Sequence, residues 1–214
     1  MRNKVYKKRP YLRSRITQRL IIETSEKVFL EYGYNKATIT RISQQANVGY
    51  GTVYSHFRGK DDLLNKVINR AMENFNRLLN IDRAINNLED LKVTFRDKIH
   101  ATLVMADAQR PLFKVLQKAL GQSDAVFEHW DSIIDRFIDR INKDLEAGRE
   151  IGLVSHSLNL QLSAKAIILM LESFLWEIVH NRESDLNLLT DTLTELFIQG
   201  LCEREKSPLF KVLN

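Results

Sequence analysis

The stretch from Thr38 to Lys60, T-I-T-R-I-S-Q-Q-A-N-V-G-Y-G-T-V-Y-S-H-F-R-G-K, constrains this chain more than any other. Ile39, Ile42 and Ala46 recur at three and four residues, the spacing of one helix face, and Thr38 stands where an N-cap belongs. After Asn47-Val48-Gly49, Val53 and Phe57 again lie four apart. They can therefore point inward while Tyr50, Thr52, Tyr54 and His56 project the other way. Two short helices joined by a tight turn, the second with a polar and aromatic outer face, make a helix-turn-helix pattern.

Charge agrees with that pattern. The formal net charge of +5 hides an asymmetry: residues 1–60 carry 13 Lys and Arg against the three acids Glu23, Glu26 and Glu31, a net of +10, which leaves −5 for the rest. A basic head suits the counterion release that dominates nucleic-acid affinity, and an acidic body is repelled by a polyanion. All six tyrosines lie within the first 54 residues, where their hydroxyls can reach phosphates. DNA binding is the function these features imply.

The stretch resembles the DNA-binding segment of the TetR (tetracycline-repressor) family of bacterial transcription regulators, whose pattern runs roughly T-x-x-x-I-A-x-x-A-x-V-x-x-G-T-x-Y-x-[HY]-F-x-x-K-x-x-L. Thr38, Ile42, Ala46, Val48, Gly51, Thr52, Tyr54, His56, Phe57, Lys60 and Leu63 match, as does the Tyr32-Gly33 pair that ends the preceding helix. Ser43 replaces the usual Ala, and Tyr50 occupies an outward position whose operator preference cannot be borrowed from a relative. The resemblance assigns Thr38, Tyr54, His56 and Lys60 mainly to phosphates. Tyr50 and Thr52, near the start of the second helix, are expected at base edges or thymine methyls. Thr40, Gly49 and Gly51 complete the expected DNA-binding set, the glycines by letting the backbone come close. For Tyr54, packing within the head stays an open alternative.

Helical periodicity runs through the whole chain, so the expected fold class is all-α: a three-helix head followed by a larger helical body. Residues 1–14, basic and without an acid, read as a flexible arm, either solvated or following the DNA backbone. Residues 15–60 form the head, with an inward stripe of Ile16, Leu20, Ile21, Val28 and Phe29 that closes at Gly33. Residues 61–207 form the body. It opens on a helix that Leu63, Leu64, Val67, Ile68, Met72, Phe75, Leu78 and Leu79 extend to about twenty residues. Further helices follow over 88–103, from Pro111 to Gly121, and from a Ser123 N-cap to Gly148, then a loop over 148–157. The segment Ala164 to Val179 is apolar nearly all round, which implies a second burying partner. The last helix runs from Leu186 to Leu201. In the family these two helices form a four-helix homodimer interface, and the body encloses a pocket for a small molecule.

Phe95, Ile99, Leu103, Met105, Phe113, Phe127, Trp130, Phe137, Met170, Phe174 and Trp176 are the residues expected to line such a pocket, with His100, His129 and His180 as polar contacts, and the preponderance of aromatic and aliphatic over charged candidates points to an apolar or amphipathic effector. The resemblance implies a homodimeric repressor that leaves an inverted-repeat operator in double-stranded DNA when the effector binds. A ligand-independent architectural or activator protein on the same fold, and a helical lipid-binding module, are the competing readings. The sequence holds no H-E-x-x-H, G-x-S-x-G, phosphate-loop or dinucleotide glycine motif, so no enzyme and no cofactor is expected. Asp131, Asp135 and Asp139 share a helical face, but Arg136, Arg140 and Lys143 flank them as in a solvated salt-bridged surface. With Cys202 the single cysteine and no apolar run of membrane-spanning length, a cytoplasmic protein without disulfide or membrane partner is expected.

Overall fold

A computed structural model describes residues 8–73, 76–77, 83–180 and 185–202, with side chains from residue 13 onward. Among these residues the chain is helical without strands: α1 (Lys8–Lys36), α2 (Ile39–Gln45), α3 (Tyr50–His56), α4 (Lys60–Ala71), α5 (Leu88–Ala108), α6 (Arg110–Leu120), α7 (Asp124–Glu150), α8 (Leu160–His180) and α9 (Leu186–Leu201). No helix among them is long and apolar enough to cross a membrane. Two compact units emerge, Met1–Glu73 with Pro111–Asp131, and Asn74–Arg110 with Ser132–Asn214.

In the first unit α1 buries Ile21, Thr24, Ser25, Val28 and Phe29, and Ser25 Oγ donates to the Ile21 carbonyl at 2.7 Å. Ile16 and Leu20, expected in this stripe, are instead 60% and 43% exposed. At about 100° per residue they point more than about 100° away from the stripe's centre, onto another face of the helix. The backbone is already helical at Lys8, where an arm was expected to run to residue 14; Pro10 sits in the first turn, where its missing N–H is not needed. Residues 1–7 of that arm lie outside the described residues. Gly33 interrupts α1 with φ +70°, a conformation that favours glycine. α4 buries Leu63, Leu64, Val67 and Ile68 but ends at Ala71, with the Met72 N–H on the Ile68 carbonyl at 3.0 Å. It is twelve residues long, not about twenty. No Gly or Pro marks that end, and the apolar spacing continues past it, which is why the sequence concealed it. Phe75, Leu78 and Leu79 carry no described side chain.

In the second unit α5 packs against α8 and α9. Asn87 caps α5 by accepting from the Asp90 N–H at 2.9 Å, and Leu91, Phe95, Ile99 and Leu103 form its buried face. Exposed ion pairs, Lys92–Glu195 and Arg96–Asp191, both 2.9 Å, join α5 to α9. Lys98 of α5 pairs with Asp144 of α7 in the interior, both less than 10% exposed. Gly148 does not close α7. The helix continues to Glu150 and ends at Gly152, φ +76°, whose N–H bonds the Arg149 carbonyl at 3.0 Å while the Leu153 N–H bonds Gly148 at 2.9 Å. That is a Schellman ending with the glycine in the left-handed position. Gly148 serves packing instead: a Cβ there would lie 2.9 Å from Val154 Cγ2.

Candidate nucleic-acid interface

The local chemistry of α2 and α3 sets the site. Thr38 Oγ1 accepts from the Arg41 N–H at 3.2 Å, which caps α2, and Ile39, Ile42 and Ala46 are buried beneath it. The turn closes with the Val48 N–H on the Ser43 carbonyl at 3.1 Å and the Asn47 N–H on Gln44 at 3.2 Å. Asn47 takes φ +51°, the left-handed position a side-chain amide tolerates. Gly49 then caps α3 in extended backbone, and Val53 and Phe57, 0% and 2% exposed, anchor α3 to the head.

This anchoring leaves one face of α3 uncovered. Tyr50 and Tyr54 are 53% and 47% exposed, their rings 5.0 Å apart, with the Tyr50 hydroxyl donating to Tyr54 Oη at 3.3 Å. That hydrogen bond raises the pKa of Tyr54 above the ordinary phenol range. Gly49 and Gly51 are exposed, Thr52 and His56 half-buried. A Cβ at Gly51 would meet nothing within 4 Å, so nothing inside the chain demands glycine there. Thr38 and Thr40 are exposed on the α2 side.

Lys60 is engaged more closely than the sequence foretold. Its Nζ donates to the Tyr34 carbonyl at 3.1 Å and lies 4.0 Å from the centre of the Tyr34 ring. The Tyr34 hydroxyl donates to Asp61 Oδ1 at 2.7 Å, and Ser123 Oγ, which also receives the Val126 N–H at 3.3 Å, donates to Asp61 Oδ2 at 2.8 Å. Burial, then the bond to Asp61, pushes the Tyr34 phenol up to about 12. One carboxylate thus joins the end of α1, the start of α4 and the cap of α7. Arg41, in the first turn of α2, and Arg58, just past the end of α3, were not singled out from the sequence. Arg41 bonds the Lys36 carbonyl at 2.7 Å and lies 3.9 Å over the Tyr32 ring, while Arg58 is exposed. Their signal lay in the charge count, which gives no positions.

The residues expected around an effector divide between the units. Phe95, Ile99 and Leu103 are core of the second unit, where Phe137 and Phe174 are half-buried and Met170 is 37% exposed. Phe113 and Trp130 meet edge to face at 6.0 Å in the first unit, and Phe127 there is 54% exposed.

Residues 21–67 match the model of a family described as bacterial regulatory proteins, tetR family. The chain is 24% identical over 190 residues to the fatty acid metabolism regulator protein of Bacillus subtilis, which covers 85% of this chain and 93% of that one. Among solved structures it is similar to the transcriptional regulator FadR of Bacillus subtilis in complex with stearoyl-CoA (TM-score 0.69, 22% identity, 85% and 98% of the two chains). It is also similar to a SmeT–triclosan complex (TM-score 0.69, 17% identity, 89% and 93%). At these identities the structural likeness establishes the fold.

Proposed function

The chain belongs to the tetR family of bacterial regulatory proteins, and from that premise we propose that it is a homodimeric, sequence-specific repressor released from its operator by a small apolar or amphipathic effector. The observation that carries the reading is the uncovered face of α3. Val53 and Phe57 fix the helix from below while Tyr50, Gly51 and Tyr54 stand free above, on a head whose first 60 residues carry a net charge of +10. Tyr50 and Thr52 read base edges; Thr38, Thr40, Tyr54, His56 and Lys60 hold phosphates; Gly49 and Gly51 admit the DNA backbone. In a dimer two such heads enter successive major grooves, so the operator is an inverted repeat with half-sites about one turn apart.

The second copy of the chain covers the apolar outer faces of α8 and α9. Leu162, Leu169, Leu188 and Leu196 are 64%, 48%, 65% and 53% exposed, a density that a lone surface does not favour. The effector class is supported by the ligands in the complexes of two structural neighbours, stearoyl-CoA and triclosan. Binding of the effector favours a dimer whose recognition helices no longer match the half-site spacing, with a coupling of about 1–3 kcal/mol between ligand and DNA.

Titration of fluorescent duplex DNA at several salt concentrations tests the reading. Operator affinity should fall steeply with salt, and a saturating effector should weaken it by about 5- to 150-fold. Affinity that is indifferent to salt would count against the head as a DNA-binding surface.

A further inference from the structure

Among the described residues Lys60 makes no ion pair: the groups that hold its ammonium are neutral, and Tyr34 supplies both. Nζ donates to the Tyr34 carbonyl at 3.1 Å and lies 4.0 Å from the centre of the Tyr34 ring. Elsewhere in the same unit cations are answered by acids, as where Arg19 and Arg70 meet Glu23 at 2.9 and 3.0 Å. Asp61, the acid next to Lys60 in the chain, is engaged otherwise, with the Tyr34 hydroxyl on Oδ1 and Ser123 Oγ on Oδ2. A carbonyl and an aromatic face orient an ammonium without cancelling its charge. Lys60 therefore keeps that charge for an anion from outside.

Its surroundings give such an anion access. Lys60 is half-buried and lines an open cleft of about 1010 Å³ together with His56 and Arg58. Of its three N–H groups one goes to the Tyr34 carbonyl, which leaves donors for an incoming oxygen. A lysine that must be immobilised on binding loses affinity to the freezing of its long stem. Here the stem is already fixed against Tyr34, which is 6% exposed and is itself anchored at its hydroxyl by the 2.7 Å bond to Asp61.

We infer that Tyr34 is a positioning residue for DNA binding: its carbonyl and ring pre-set the Lys60 ammonium for a phosphate, and Asp61, held in turn by Ser123, fixes the ring. The inference rests on the reading of the head as a DNA-binding surface. It assigns Tyr34 no contact with DNA.

Phosphate contacts serve any sequence, so the test is anisotropy titration of the full chain with a labelled mixed-sequence duplex of about 40 base pairs at several salt concentrations. Tyr34→Phe keeps the ring and loses its anchor, and should bind about two- to threefold more weakly; Tyr34→Leu, which removes the ring, should lose about three- to tenfold. Neither should change the salt slope, because Lys60 is still present, whereas Lys60→Ala should lower it by about one. Both Tyr34 losses should vanish when combined with Lys60→Ala, a dependence that general damage to the fold would not produce. If Tyr34→Leu does not fold, the isosteric Tyr34→Phe decides alone. Unchanged affinity in Tyr34→Phe, a loss that persists in the Lys60→Ala background, or no effect of Lys60→Ala overturns the positioning role. A folded wild type that fails to bind the duplex at low salt overturns the DNA-binding reading and this inference together.

Discussion

Replacing Asp61 with alanine should destabilise the protein by about 3 kcal/mol, through two donors that the substitution strands. The carboxylate accepts from Tyr34 Oη at 2.7 Å and from Ser123 Oγ at 2.8 Å, and these donor residues are 6% and 9% exposed. Each buried donor left without a partner costs about 1–3 kcal/mol. Removing an acidic group from the first turn of α4 adds about 0.3–1 kcal/mol. Relief of the carboxylate's own desolvation offsets part of this, which brings the sum to about 3 kcal/mol rather than its upper bound. For a chain of this size the melting temperature should fall by about 6–12 °C, at about 2–4 °C per kcal/mol. Thermal and urea unfolding of Asp61→Ala, Tyr34→Phe and the double variant would measure it. Since phenylalanine removes one stranded donor, the double variant should cost less than the sum of the singles by at least about 1 kcal/mol. Additive costs, or an Asp61→Ala loss within about 0.5 kcal/mol of zero, would refute the reasoning.

The same network predicts an alkaline signature. With the Tyr34 phenol pushed up from 10 to about 12, the unfolded chain releases that proton first. Its contribution is full below pH 10 and is lost as pH rises toward 12, so unfolding curves of wild type and Tyr34→Phe should converge over that interval. Lys60→Ala should weaken DNA binding evenly across sequences and reduce the salt slope by about one, whereas Tyr50→Ala should change base preference; selection on both variants separates these outcomes. Gly148→Ala should destabilise by about 1–2 kcal/mol, because its Cβ would meet Val154 Cγ2 at 2.9 Å and the gain in helix propensity is smaller. Adding Val154→Ala should make Gly148→Ala less costly than it is alone, as denaturant midpoints would show.

The head was legible because its determinants are local. The Thr38 cap, the Asn47 turn and the Val53/Phe57 anchor all fall within about twenty residues, and each has a spacing that a reader of the sequence can test. The helical body was legible as periodicity, including Ser123, whose side chain accepts an N–H group in the first turn of α7, whereas Asn87, which does the same for α5, was not singled out. What stayed hidden depends on partners far along the chain. Tyr34, Asp61 and Ser123 are separated by 27 and 62 residues, and Lys98 and Asp144 by 46. Gly148 and Gly152 offer the same letter to α7, and only the left-handed φ of +76° at Gly152 shows which one ends the helix. Effector contacts were least legible of all, because a phenylalanine at a helical spacing looks the same whether it faces core, cavity or solvent; Phe95 at 1% and Phe127 at 54% exposure show the range.

Selection of bound sequences from a random duplex pool, with the purified full chain and no added ligand, tests the central claim most directly. The account predicts enrichment of an inverted repeat whose half-sites lie about one helical turn apart. Retention of DNA at low salt without any enriched sequence would contradict it.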